Sequence, residues 1–148
     1  MRSLLDVNVL LALHDPDHFH GEVAHEWWAA NISQGWASCP ISENGFVRIS
    51  SGSAYSPQMS LTPHQSVSML NAFRRKHDHC FWADDISLTN GEIFSFDQIV
   101  GPRQLTDIYL LALAVKNGGR LVTFDRRVQL SAVIGATEQH LHTLRFND

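Results

Sequence analysis

The chain has 148 residues, 44% of them hydrophobic and 18% charged, which suits one buried core and excludes a disordered segment. Aspartate and glutamate outnumber lysine and arginine by 15 to 11, for a formal net charge of -4. That balance excludes coating nucleic acid by bulk electrostatics, so action on RNA would need a local cation to neutralise phosphate.

Ser3 to Leu5 with Val7 is a short apolar run and predicts a first strand ending at or near Asp6, then a short helix through Leu13. His14-Asp15-Pro16-Asp17 breaks that helix. Glu22 to Ile32 is helical, with Val23, Trp27 and Ala30 on one face. Gly35 to Cys39 reads as strand two, and Pro40 opens the helix carrying Ile41, Phe46, Val47 and Ile49. Ser50 to Ser60, with Gly52 and Pro57, is a loop. Thr62 caps the next helix, with Pro63 at its first position and the basic run Arg74-Arg75-Lys76-His77 at its end. Cys80 to Ala83 is strand three. Thr106 opens a long apolar helix that stops at Asn117-Gly118-Gly119. Arg120 to Phe124 is strand four, and His142 to Phe146 a fifth. Short strands alternating with helices predict a single α/β domain over 1–148: a parallel sheet of about five strands with helices on both faces.

Cys39 and Cys80 form no CxxC and no disulfide framework, and read as small buried thiols in a reducing cytoplasm. Asp6 interrupts any signal-peptide apolar region, and the apolar stretch Tyr109 to Val115 is too short to span a membrane. The expected location is the cytoplasm.

Ligands of an open α/β sheet bind beyond the carboxyl ends of the strands. Asp6 and Asp125 lie at strand ends, Asp107 starts the long helix, and Glu43 sits near the start of the helix after strand two. Singly, each has a structural account: Asp6 ends a strand, Asp107 complements a helix dipole, Glu43 is solvated, and Asp125 caps a turn. Together they would point several like charges at one cleft, a cost that a divalent cation removes. Hard oxygen donors without a histidine or cysteine motif favour Mg²⁺ or Mn²⁺ over zinc, and such a site can hydrolyse phosphodiesters with a metal-activated water.

Competing motifs are missing. His25-Glu26 lacks the histidine at 29 of a zinc protease, and there is neither GxxxxGK[ST] nor G-x-S-x-G. Asn8 stands where a haloacid-dehalogenase phosphatase needs a second aspartate. The histidines at 14, 18, 20 and 25 read as a solvated loop and helix face rather than a zinc site, and the basic run as a solvated helix end. A metal-binding α/β regulatory domain without chemistry is the rival from another class, but the paired acids and late lysine of a phospho-receiver are lacking.

Leu4-Leu5-Asp6-Val7-Asn8-Val9-Leu10-Leu11 resembles the opening of a PIN domain. Pro16, His20, Ala24 and Trp27-Trp28 resemble the next segment of VapC-type toxins, and Ser42-Glu43-Asn44-Gly45-Phe46-Val47-Arg48-Ile49 their second acidic motif. Leu105-Thr106-Asp107-Ile108-Tyr109-Leu110-Leu111-Ala112-Leu113-Ala114 is the most specific stretch, and Leu121-Val122-Thr123-Phe124-Asp125-Arg126 follows at the usual distance. The resemblance covers Leu4 to about Phe146. It implies a PIN fold and a Mg²⁺- or Mn²⁺-dependent endoribonuclease with Asp6, Glu43, Asp107 and Asp125 in the four acidic places. Asp6, Asp107 and Asp125 would hold metal, and Asn8 and Thr123 would support the ring. It also implies an RNA substrate, a homodimer and a small antitoxin protein whose arginine could pair with the acids. A PIN nuclease outside any toxin–antitoxin pair is the nearer alternative. Val7 departs from the Thr or Ser frequent in the family, and Val128 stands where some relatives have another acid.

Overall fold

The computed structural model describes residues 1–55 and 60–145. The strands are β1 (Ser3–Leu5), β2 (Trp36–Ser38), β3 (His79–Phe81), β4 (Arg120–Thr123) and β5 (Leu141–Thr143). They form one sheet in the order β3-β2-β1-β4-β5, with every neighbouring pair parallel. Parallel neighbours need crossovers, and these carry helices α1 (Val7–His14), α2 (Gly21–Asn31), α3 (Pro40–Ser50), α4 (Pro63–Lys76) and α5 (Leu105–Lys116). This is the PIN-like α/β arrangement that the sequence implies.

Strand periodicity divides the core into two layers. Leu4, Ala37 and Leu121 pack with Ile108, Leu111 and other α5 residues on one face. Leu5, Trp36 and Val122 pack with Leu10, Phe46 and Leu70 of α1, α3 and α4 on the other. The helix boundaries follow local chemistry. The Thr62 hydroxyl accepts the Gln65 N–H at 3.1 Å, the Gln65 side chain accepts the Thr62 N–H at 2.8 Å, and Pro63 takes the first helical position. Gly118 adopts φ 70° just past α5, a conformation that favours glycine.

Four strands differ from expectation at their ends: β2 is Trp36–Ser38 rather than Gly35 to Cys39, and β4 stops at Thr123 rather than Phe124. β3 begins at His79 and stops at Phe81, although the Trp82 N–H still donates to the Ser38 carbonyl oxygen at 2.8 Å and its ring packs in the α5-side core. β5 spans Leu141–Thr143, and the expected end at Phe146, like Pro57 of the predicted loop, lies outside the described residues. Among the described residues no helix is long and apolar enough to cross a membrane.

Candidate active site

β1 and β4 are adjacent and in register, Leu5 beside Val122, so their carboxyl ends finish together. Asp6 follows β1 immediately and caps α1. Its Oδ1 accepts the Val7 N–H at 2.7 Å, and its Oδ2 accepts the Thr123 hydroxyl at 2.7 Å. The same hydroxyl oxygen accepts the Asp125 N–H at 3.0 Å. One buried threonine thus ties together the acids that end two strands.

Asp107 comes to the same edge from the first turn of α5. Burial, then the charge of Asp6, then a hydrogen bond to Asp125 push its carboxyl up to about 7. Burial also raises Asp6, opposed by the bonds from Thr123 and Val7, with the charge of Asp125 adding to the rise. Asp125 is held low, chiefly by Arg127. The Arg127 backbone N–H lies 2.8 Å from Asp125 Oδ1, and its guanidinium donates to both carboxylate oxygens at 3.2 Å. Three acids from separate stretches of chain therefore sense one another's charge.

Glu43 has other partners. It lies in the first turn of α3, accepts the Ser38 hydroxyl at 2.6 Å, and pairs with Arg74 of α4 at 3.5 Å. The Ser38 oxygen lies 2.8 Å from His79 Nε2, and Arg74 Nε donates to His79 Nδ1 at 3.4 Å. Burial, Arg74 and Arg2 push His79 down to about 4, so its ring is neutral at pH 7. With Nδ1 accepting, the ring proton sits on Nε2 and points to Ser38. Arg74, His79, Ser38 and Glu43 close a circuit, and Glu43 does not figure among the charges that shift the three aspartates. Ser38 shares a strand face with Trp36, which packs on the α1–α3–α4 side, whereas Asp107 comes from α5 on the opposite side.

Several side chains differ from their expected settings. The basic run is not wholly solvated: Arg74 turns inward to Glu43 and His79, contacts between α3, α4 and β3 that no local spacing signals. His14 is not on a solvated face either. Its Nδ1 lies 2.8 Å from the Leu10 carbonyl oxygen and its ring packs between Phe46 and Phe73. Asn8 is exposed on α1, and the bonds that orient Asp6 come from Thr123 and Val7. Val7 fills a steric role instead: a Cβ added at Gly45 would lie 2.6 Å from its Cγ2.

No protein-family model matches the sequence. The chain is 46% identical over 144 residues to ribonuclease VapC44 of Mycobacterium tuberculosis, across 97% of this chain and 100% of that protein. Ribonuclease VapC39 of the same species is 44% identical over 138 residues, across 93% and 99% of the two chains. The chain belongs to the VapC ribonuclease family. Ribonuclease VapC38 of that species is 44% identical over 126 residues, covering 85% of this chain and 86% of its own.

In this VapC chain the residues able to serve a metal ion are Asp6, Asp107 and Asp125. As they stand, no group of three or more His, Cys, Asp or Glu among the described residues is placed to hold one. Both oxygens of Asp125 face Arg127 instead. The donor set still suits a hard dication, because three carboxylates whose mutual repulsion raises Asp107 are relieved by a divalent charge. Away from this edge, Leu13, His14, His25, Trp28, Met69 and Phe73 line part of an open cleft of about 450 Å³ between α1, α2 and α4. Trp28 and Phe73 pack against each other in its lining, with ring centroids 5.0 Å apart.

Proposed function

We propose that this protein is a Mg²⁺- or Mn²⁺-dependent endoribonuclease and the toxin of a cytoplasmic toxin–antitoxin pair. The observation that carries the reading is the meeting of Asp6, Asp107 and Asp125 at the carboxyl edge of the sheet, in a chain nearly half identical to proteins named as ribonucleases. When bound, the metal would activate water and stabilise charge on the leaving oxygen. Hydrolysis forms one P–O bond from water and breaks another, with the proton passing to the leaving oxygen.

The chain's own residues orient this chemistry. Thr123 and the Val7 N–H fix the plane of the Asp6 carboxylate. Thr123 also anchors the backbone at Asp125, so one hydroxyl positions both acids. Asp107 completes the donor set from α5. Glu43, the fourth acid of the family pattern, is engaged by Ser38 and Arg74, so we assign metal binding to the three aspartates and to Glu43 a lesser part in cleavage. The cleft between α1, α2 and α4 is the place we assign to an antitoxin segment, because it offers apolar side chains beside the helix carrying Trp28. A homodimer remains part of the proposal, with a monomer by light scattering as the result that removes it.

The test is cleavage of total RNA by purified protein with EDTA, then with Mg²⁺ or Mn²⁺ restored. Activity should vanish and return, and Asp6→Asn should abolish it without unfolding the chain. Undiminished cleavage in EDTA, or by Asp6→Asn, defeats the reading.

A further inference from the structure

Arg127 presents an arrangement that the acid cluster alone does not explain. Its guanidinium reaches both oxygens of Asp125 at 3.2 Å, while its side chain is 63% exposed and that of Asp125 only 17%. The cation thus stands on the solvent side of one of the three aspartates, and its charge is felt by Asp107 as well. An arginine fork fits carboxylate and phosphate by the same two-pronged geometry. An ion pair this exposed contributes little to stability, so it opens at low cost. In a chain of net charge -4, a positive group at the acid edge is also what an RNA phosphate would need to approach.

We propose that Arg127 is an exchangeable partner that leaves Asp125 when metal binds and then grips a phosphate of the RNA strand. The inference rests on the metal-nuclease reading above and adds a substrate-binding residue to it. The exchange has two consequences of opposite sign. Arg127 competes with metal for Asp125, so its presence weakens metal affinity. It contributes a phosphate contact, so its presence strengthens RNA binding. A merely structural pair would not produce both.

The experiment compares wild type, Arg127→Ala, Arg127→Lys and Arg126→Ala. Mn²⁺ affinity is measured by calorimetry without RNA. Cleavage of a short single-stranded RNA of mixed sequence is then followed at saturating Mn²⁺ over a range of salt. Arg127→Ala should bind Mn²⁺ about threefold more tightly and raise KM for RNA by about tenfold. Its kcat/KM should depend less steeply on salt, by about 0.7 in log–log slope. Arg127→Lys keeps the charge but loses the fork and should fall between the two. Arg126→Ala removes an equal charge beside the site without removing a fork on Asp125, and should change Mn²⁺ affinity far less. Unchanged or weakened Mn²⁺ affinity in Arg127→Ala, or an unchanged KM, overturns the exchange while a binding, cleaving wild type leaves the parent reading intact. Equal tightening by Arg126→Ala also overturns it, because general charge then explains the effect. A wild type that neither binds Mn²⁺ nor cleaves overturns both.

Discussion

Asp107 begins from an ordinary carboxyl value of 3.8 and is carried to about 7 by burial and by Asp6 and Asp125. Between those values the folded, metal-free chain holds a proton that the unfolded chain has released. The contribution of Asp107 to the stability of the metal-free protein therefore falls as pH rises from about 4 to about 7, while His79, held neutral down to about 4, contributes in the opposite sense below its ordinary 6.5. Urea midpoints in EDTA across that range should therefore rise more steeply with pH in Asp107→Asn than in the wild type. An equal slope in the variant would mean that the proton sits elsewhere. Gly45 carries a second residue-scale prediction. Alanine would favour the helix by about 0.5–1 kcal/mol. The contact with Val7, a stiff β-branched neighbour, costs about 1–3 kcal/mol and should win. Gly45→Ala should therefore lower the urea midpoint, and adding Val7→Ala should restore much of the loss. A Gly45→Ala chain as stable as the wild type would show that the backbone gives way.

At the scale of elements, the site is a consequence of which strands are neighbours. β1 and β4 lie far apart in sequence yet share a register, and Thr123 bridges their ends. Thr123→Val keeps the shape but leaves Asp6 Oδ2 and the Asp125 N–H without that partner, a cost of about 1–3 kcal/mol. RNA cleavage should fall with it, and Thr123→Ser should recover both. Failure of serine to recover either would mean that the methyl group, not the hydroxyl, matters there. The α3–α4 contact predicts a contrast between acids. Glu43→Gln should reduce kcat far less than Asp6→Asn, because Glu43 faces Arg74 rather than the three aspartates. Equal losses in the two variants would return Glu43 to the centre of the site.

For the whole molecule, the acid edge and the α1–α2–α4 cleft are separate surfaces with separate tests. Expression of the chain alone should arrest bacterial growth, co-expression of its antitoxin should relieve the arrest, and Asp6→Asn should be harmless. An exposed charge placed in the cleft, such as Ala72→Asp, should weaken antitoxin rescue while RNA cleavage in vitro persists. Rescue undiminished by Ala72→Asp would place the antitoxin elsewhere.

Local chemistry made much of this protein legible from its residues. The Thr62–Pro63 start of α4 and the Asn117–Gly118 end of α5 depend on neighbours in the chain, and both lie where capping rules put them. The alternation of short strands and helices implied the parallel sheet. The resemblance carried by the acidic motifs pointed to the VapC family, and strand ends placed Asp6 and Asp125 near one edge. Tertiary packing decided the rest. The partners of Glu43 are Ser38 of β2 and an arginine that α4 brings across. His14 and Arg74 look like surface residues until Phe46 and Phe73 pack on the first and Glu43 of α3 pairs with the second. Arg127 is the intermediate case: its nearness to Asp125 is local, but Asp125 matters to it only because β1 and α5 deliver two more carboxylates to the same place. Charge is written in the sequence, whereas the burial and neighbouring charges that set its energy exist only after the chain has folded.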